Sequence, residues 1–192
     1  DVEFHNRWHA QLIPQLAQAC ADPVDRVAAM AAGALEAVIA DLEENVLTDY
    51  TQLILEALVG RMTRSSHKGV LVAIMEALGA LAAALEGSFG DYYDQLMVML
   101  LAFISRTDSQ PVAVKLRGKA FECISLLGYS VGKERFMPAA KQTMSTMLSV
   151  PKVAEDVQTE CVREAMERIC KVMGPDFAEF LPNLLPGLLS FM

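Results

Sequence analysis

Glu36, Glu76, Glu122 and Glu164 are the side chains whose spacing could do chemistry. Each is followed by a small residue within an apolar run: Glu36-Ala37, Glu76-Ala77, Glu122-Cys123 and Glu164-Ala165. The intervals are 40, 46 and 42 residues. Carboxylates can move protons when two face each other, hold a metal when joined by His or Cys, or dock cations when set out in a row. The first two uses lack their other half here. His5, His9 and His67 lie at polar edges with no Cys or paired acid at ligand spacing, so no metal site is expected. Cys20, Cys123, Cys161 and Cys170 form no CxxC pair, and their apolar helical settings read as buried free thiols of a reducing compartment. There is no GxSxG, no HExxH and no phosphate loop, and no set of nucleophile, base and orienting group can be assembled. The expectation is a protein without a catalytic site or a cofactor, which leaves the row of carboxylates as a place for cations.

Apolar residues recur at intervals of three and four almost throughout, and no stretch alternates long enough for a convincing strand. Short polar breaks divide the chain into about nine helices. Asp22-Pro23 reads as an N-cap followed by Pro at the first helical position. Gly132 and Gly174 suit the left-handed residue after a helix end. Gly118 and Gly128, inside one helical run, read as close-packing positions. The paired acids Glu43-Glu44 and Glu155-Asp156 fall in breaks and are expected to cap helices.

The helices pair, and the pairs repeat with a period near 42. Two helices every 40–47 residues are the signature of HEAT and armadillo repeats. The predicted fold is therefore all-α, an α-α superhelix of HEAT repeats. The 192 residues read as one solenoid of about four and a half repeats, near 4–42, 46–86, 89–132, 133–174 and a partial 176–192. One hairpin cannot bury its own apolar face, so stacking must supply the core. An unstacked end at Phe180, Leu184, Leu185 and Leu188 should be adhesive.

At 100° per residue, Leu116, Ala120, Cys123, Ile124, Leu127 and Val131 form a stripe with Glu122 roughly opposite. Val27, Ala31, Ala34, Leu35, Val38 and Leu42 form the same stripe in the first unit, with Glu36 opposite; Glu76 behaves likewise, and Glu164 lies on the flank of its polar face. With packed helices about 8–10 Å apart, the four carboxylates would form a row, one per repeat, across which a Lys- or Arg-bearing extended peptide could lie. Glu is also a good helix former, and a solvated acidic face is its commonest meaning. The recurrence in one register is what favours docking. Lys115, Lys119 and Tyr129 share that face of the third unit.

Composition narrows the partners. Hydrophobic residues are 53% of the chain, enough for a continuous core. Val70 to Leu85 is apolar apart from Glu76, yet it is Ala- and Gly-rich and shorter than the roughly 20 residues a membrane span needs. It reads as a helix buried among helices, with no membrane insertion. The net charge of −8 divides into −9 over residues 1–94 and +1 over residues 95–192. That argues against nucleic acid and suits a basic protein partner. Met97, Met99, Met144 and Met147 read as core, Tyr92-Tyr93 as a staple between repeats, and Trp8 as a contact to a preceding unit. The start at Asp1 and the stop within an apolar run suggest a piece cut from a longer chain at both ends.

Leu116-Arg117-Gly118-Lys119, Glu122-Cys123-Ile124-Ser125-Leu126-Leu127-Gly128, Val131-Gly132-Lys133-Glu134 and Phe136-Met137, with Tyr92-Tyr93-Asp94 ahead of them, resemble a passage of the karyopherin-beta family. The match is strong from about Phe89 to Met137. The resemblance implies a nuclear transport receptor that shuttles between cytoplasm and nucleus. It implies basic cargo, carried by localisation-signal peptides, on the concave second helices, and nucleoporin FG repeats on the convex first helices. It implies Ran-GTP bound by repeats outside these. The alternative reading is a HEAT scaffold that assembles another protein complex.

Overall fold

In the computed structural model, residues 2–85, 89–106, 108–150 and 157–189 are described; of Val157 and residues 186–189 this holds for the backbone alone. These residues form ten α-helices, two 3-10 segments and no strand. The helices are α1 (Val2–Cys20), α2 (Asp25–Asp41), α3 (Glu44–Thr48), α4 (Thr51–Arg64) and α5 (Lys68–Ala84), followed by α6 (Tyr93–Ile104), α7 (Pro111–Val131), α8 (Lys133–Ser149), α9 (Val157–Met173) and α10 (Leu181–Leu189). They pair as α1 with α2, α4 with α5, α6 with α7 and α8 with α9; α10 follows as a further first helix. The short α3 is a lead-in to α4. The fold is a HEAT solenoid.

The second helices α2, α5, α7 and α9 make the spine. Each packs on the next more intimately than the first helices pack on theirs, and α4 hardly meets α6. A layer that is closer spaced is shorter, so the stack must bend with the second helices on the inside. Small residues permit the close spacing. A Cβ on Gly79 of α5 would stand 3.3 Å from Leu126 Cδ1 of α7, and one on Gly118 of α7 would stand 3.1 Å from the Gln158 Cα of α9. Helix α5, enclosed by α2 and α7, is apolar almost all round and buries ten residues from Val70 to Ala82. This is the stretch that hydropathy alone could confuse with a span; no helix among the described residues is long and apolar enough to cross a membrane.

Polar ties at one-repeat spacing align the units. Arg61 Nη2 lies 2.6 Å from Asp25, Arg135 Nη2 2.9 Å from Asp94, Lys133 2.8 Å from Asp176 and Lys141 3.1 Å from Glu179; Lys68 also pairs with Asp108. Between α7 and α9, Arg117 Nε donates to Gln158 Oε1 at 2.7 Å. His5 contacts Asp41 at 2.6 Å and His9 contacts the Tyr50 hydroxyl at 3.2 Å, so two of the three histidines tie α1 to the structure behind it. The third, His67, caps α5 by accepting from the Val70 amide.

Several local expectations need correction. Asp22-Pro23 does not cap α2. That helix starts two residues later behind Val24, and Asp22 Oδ1 instead accepts the Val24 amide at 2.7 Å, closing a turn ahead of the helix. The buried stripe of α2 is also rotated from the expected one: it runs through Ala28, Ala31, Ala32, Leu35, Val38 and Ile39, while Val27 and Ala34 are exposed. Cys20, Cys123 and Cys161 are buried free thiols, but Cys170 is exposed. Glu43 takes the N-cap position of α3 without a side-chain cap, and Glu155-Asp156 lies outside the described residues.

The readings of the glycines after helix ends and of the methionine core agree with the structure. Gly132 (φ 78°) and Gly174 (φ 59°) are left-handed at helix ends. Tyr93, Met97, Met144 and Met147 are core. Trp8 is partly exposed beneath the Arg7 guanidinium. At the far end Leu184 is buried and Leu185 exposed, while the Leu188 side chain lies outside the described set.

Candidate functional site

The second-helix face holds the four glutamates, each half-buried. Three come together. Glu36 of α2, Glu76 of α5 and Glu122 of α7 line one open hollow of about 270 Å³ at the centre of the face. The hollow also takes Lys119 of α7 and Arg168 of α9 into its wall. Glu164, one helix further on, is not part of it; it pairs with Arg168 along α9 at 3.2 Å. The glutamates do not stand on solvated crests. The side chains of Glu76 and Glu122 keep 22% and 25% exposure, because adjacent second helices approach closely enough to shade them.

The electrostatics differ from a simple acidic row. Lys119 Nζ donates to Glu122 Oε2 at 2.9 Å and lies 3.6 Å from Glu76 Oε1 on the preceding repeat. Lys115 Nζ stands 3.5 Å from the same Glu76 oxygen. Arg168 adds a long contact from Nη1 to Ser125 Oγ at 3.4 Å, which leans α9 against α7. Four carboxylates therefore share the face with three cations of the chain itself. Glu36 alone has no ion-pair partner among the described residues.

Glu36 feels this surrounding. Partial burial raises its carboxyl pKa above the ordinary value; the charges of Glu76 and Glu122 add to that, and Lys119 and Lys115 offset it in part. Burial by itself would pull the Lys119 ammonium down. The hydrogen bond and charge of Glu122, with Cys161 and Glu76 adding, carry it above the usual lysine value. Lys119 is thus firmly charged inside a shaded nest of acids. Burial drives the Cys123 thiol to about 12 and the Cys161 thiol to about 11, with Glu122 adding to both. Neither is a thiolate nucleophile at neutral pH. Among the described residues, no three His, Cys, Asp or Glu side chains meet as a metal cluster.

Sequence reasoning had Lys115 and Lys119 on this face, but not Lys119 as a bridge between repeats. The Lys119–Glu122 spacing of three was a visible signal; the reach to Glu76, 43 residues back, was not. Arg168 was missed altogether, although Glu164 and Arg168 stand at the i,i+4 spacing of a helical ion pair.

A second feature of the face is apolar. Gly69, Val72 and Ala73 at the start of α5, with Pro111 and Val112 at the start of α7, line a hollow of about 470 Å³ that Glu76 and Lys115 close off from the charged centre. Glu76 borders both hollows. On the outer layer, α4 and α6 leave a groove of about 450 Å³ containing Met62, Met99, Phe103 and Arg106.

No family model matches the chain. Individual proteins do. Importin subunit beta-3 of Saccharomyces cerevisiae is 29% identical over 188 residues, which is 96% of this chain and 17% of that protein. Probable importin subunit beta-4 of Schizosaccharomyces pombe is 24% identical over 183 residues, 95% of this chain and 17% of that one. The chain thus spans about a sixth of the length of these relatives. Crystal structures of Kap121p bound to Pho4p and to Nup53p superpose on it with a TM-score of 0.83 each, at 27% identity, covering 97% of this chain and 17% of Kap121p. In another Kap121p structure, lysine replaces two aspartates and a glutamate that lie 43 and 42 residues apart, a spacing of one repeat. With the LRGK and ECISLLG passages on α7 and a solenoid that matches over almost its whole length, the chain is similar to these karyopherin-beta proteins.

Proposed function

We propose that this chain works in a nuclear import receptor and holds basic protein cargo on its second-helix surface, with Glu36, Glu76, Glu122 and Glu164 as the cargo-binding carboxylates. One observation carries the reading: carboxylates of three successive repeats border one hollow on the inner layer of an importin-like solenoid. Kap121p bound to Pho4p, and the Kap121p with its acids changed to lysine at one-repeat intervals, support it by likeness. The cargo would present an extended, lysine-bearing localisation peptide whose ammonium groups meet the carboxylates in turn. Nucleoporin FG repeats would meet the outer layer, where the groove of Met62, Met99 and Phe103 offers an apolar slot for an aromatic ring. Ran-GTP would act through other repeats of such a receptor, which would pass between cytoplasm and nucleus. The chain has no role as an enzyme in this reading.

The test is titration of a fluorescent lysine-rich peptide against the protein and against Glu36→Ala, Glu76→Ala, Glu122→Ala and Glu164→Ala. Glu36→Ala is expected to weaken binding most, by roughly three- to tenfold at low salt, the scale of one partly shaded ion pair. Glu164→Ala is expected to weaken it least. Affinity that is the same in all five proteins at both low and high salt would remove the row from the account.

A further inference from the structure

The nest around Lys119 is already built to hold a lysine, and it is holding one. Its ammonium sits between carboxylates of two successive repeats, 2.9 Å from Glu122 and 3.6 Å from Glu76, with only 22% of the side chain exposed. Glu36 of a third repeat shares the same hollow. A peptide lysine arriving along the second helices would seek this arrangement, since carboxylates from neighbouring helices spaced about 8–10 Å apart can close on one ammonium from both sides.

We infer that Lys119 is an internal competitor for cargo, a specificity-determining residue that occupies the lysine subsite between the Glu76 and Glu122 carboxylates and must swing out before a peptide lysine can enter. This rests on the cargo-binding reading of the groove. Three observations support it.

The first is exposure. Lys115 also reaches Glu76, but from a side chain that is 47% exposed and at 3.5 Å, so it shields the edge of the hollow without filling it. The second is connectivity. Lys119 is the one cation of the described hollow wall that touches carboxylates of two repeats; Arg168 is committed to Glu164 on its own helix and to Ser125. The third is mobility of the chemistry. A lysine stem has four rotatable bonds and an ammonium that hydrates readily, whereas an arginine fork would hold both carboxylates more rigidly. The closed form is suited to displacement by a second ammonium of equal chemistry.

Competition of this kind sets selectivity. A peptide with a single lysine gains little, because it exchanges one Lys–Glu contact for another. A peptide with two or more lysines at suitable spacing gains the free Glu36 carboxylate as well. The groove should therefore discriminate by the number of lysines, and by more than simple charge attraction would predict.

The experiment measures binding of two acetylated, amidated peptides, one with a single lysine and one with three, to the protein and to Lys119→Gln and Lys119→Arg. Circular dichroism and thermal melting establish that the variants are folded. Lys119→Gln is expected to bind the single-lysine peptide about tenfold more tightly at low salt, the fold-change of one ion pair near a protein surface. The selectivity for three lysines over one should shrink in that variant. Lys119→Arg should behave as wild type or bind more weakly. Adding Glu76→Gln to Lys119→Gln should abolish the gain. Wild-type binding that is unchanged or weakened in Lys119→Gln would overturn the inference while leaving the cargo groove in place. Absence of binding by both wild type and Lys119→Gln would overturn the inference together with the proposed function.

Discussion

Helices α2 and α7 hold the same place in their repeats and carry a glutamate in the same register, yet they present it differently. On α2 the groove side is alanine and small apolar residues, with Val27 and Met30 exposed, and Glu36 makes no ion pair among the described residues. On α7 the groove side brings Lys115 and Lys119, and Glu122 is bound from its own helix. The backbones contrast as well. A methyl group on Gly33 of α2 would meet nothing within 4 Å, while one on Gly128 of α7 would lie 2.4 Å from the Phe136 ring. A repeat therefore determines where a carboxylate stands, and its neighbours determine whether that carboxylate is free. Glu36 offers its charge unpaired; Glu122 offers its charge already paired, on a tightly packed helix.

The strongest challenge to that contrast is Gly128→Ala. The new methyl would collide with a fully buried phenylalanine of α8, so a loss of about 2 kcal/mol in unfolding free energy is expected. Denaturant unfolding would read it, and an unchanged midpoint would mean that α7 and α8 are less tightly joined than the geometry indicates. Gly33→Ala should go the other way. It removes a flexible residue from the middle of α2 without a clash, and a gain of about 0.5–1 kcal/mol is expected. If it destabilised the protein instead, α2 would not be the looser helix.

The smallest effect is electrostatic and depends on pH. The folded-state pKa of Glu36 is raised, so between the ordinary carboxylate value and the raised one the folded chain binds more proton than the unfolded chain. Stability from this group falls as pH rises through the folded-state pKa, and the ionised carboxylate is a small burden at neutral pH. Glu36→Gln should raise the melting temperature slightly at pH 7. Because the half-buried Glu36 still lies in an open hollow within reach of solvent screening, the gain is at most a few tenths of a kcal/mol. The gain should vanish near pH 4, where Glu36 is protonated already. A gain of equal size at both pH values would show that it comes from packing rather than charge.

Much of the architecture could be read before any coordinates. The 40- to 46-residue recurrence of Glu in apolar runs, the glycines after helix ends and the Ala- and Gly-rich second helices all follow from residue-level rules, because helix periodicity and stacking demand act within one or two turns. The rotation of α2 was not legible. Nor was its starting residue, where Asp22 spends its side chain on a turn rather than on a cap, a choice between two local hydrogen bonds of similar strength.

The candidate site divides the same way. The sequence by itself determined that four glutamates share a register and that lysines share the face of α7, since both follow from spacing along a helix. Only the tertiary structure decided that Glu36, Glu76 and Glu122 border one hollow and that Lys119 bridges two repeats. Those contacts depend on the stagger between neighbouring helices. That stagger is set by how closely small residues such as Gly79 and Gly118 let the backbones approach, and a difference of one ångström there separates an ion pair from two solvated charges.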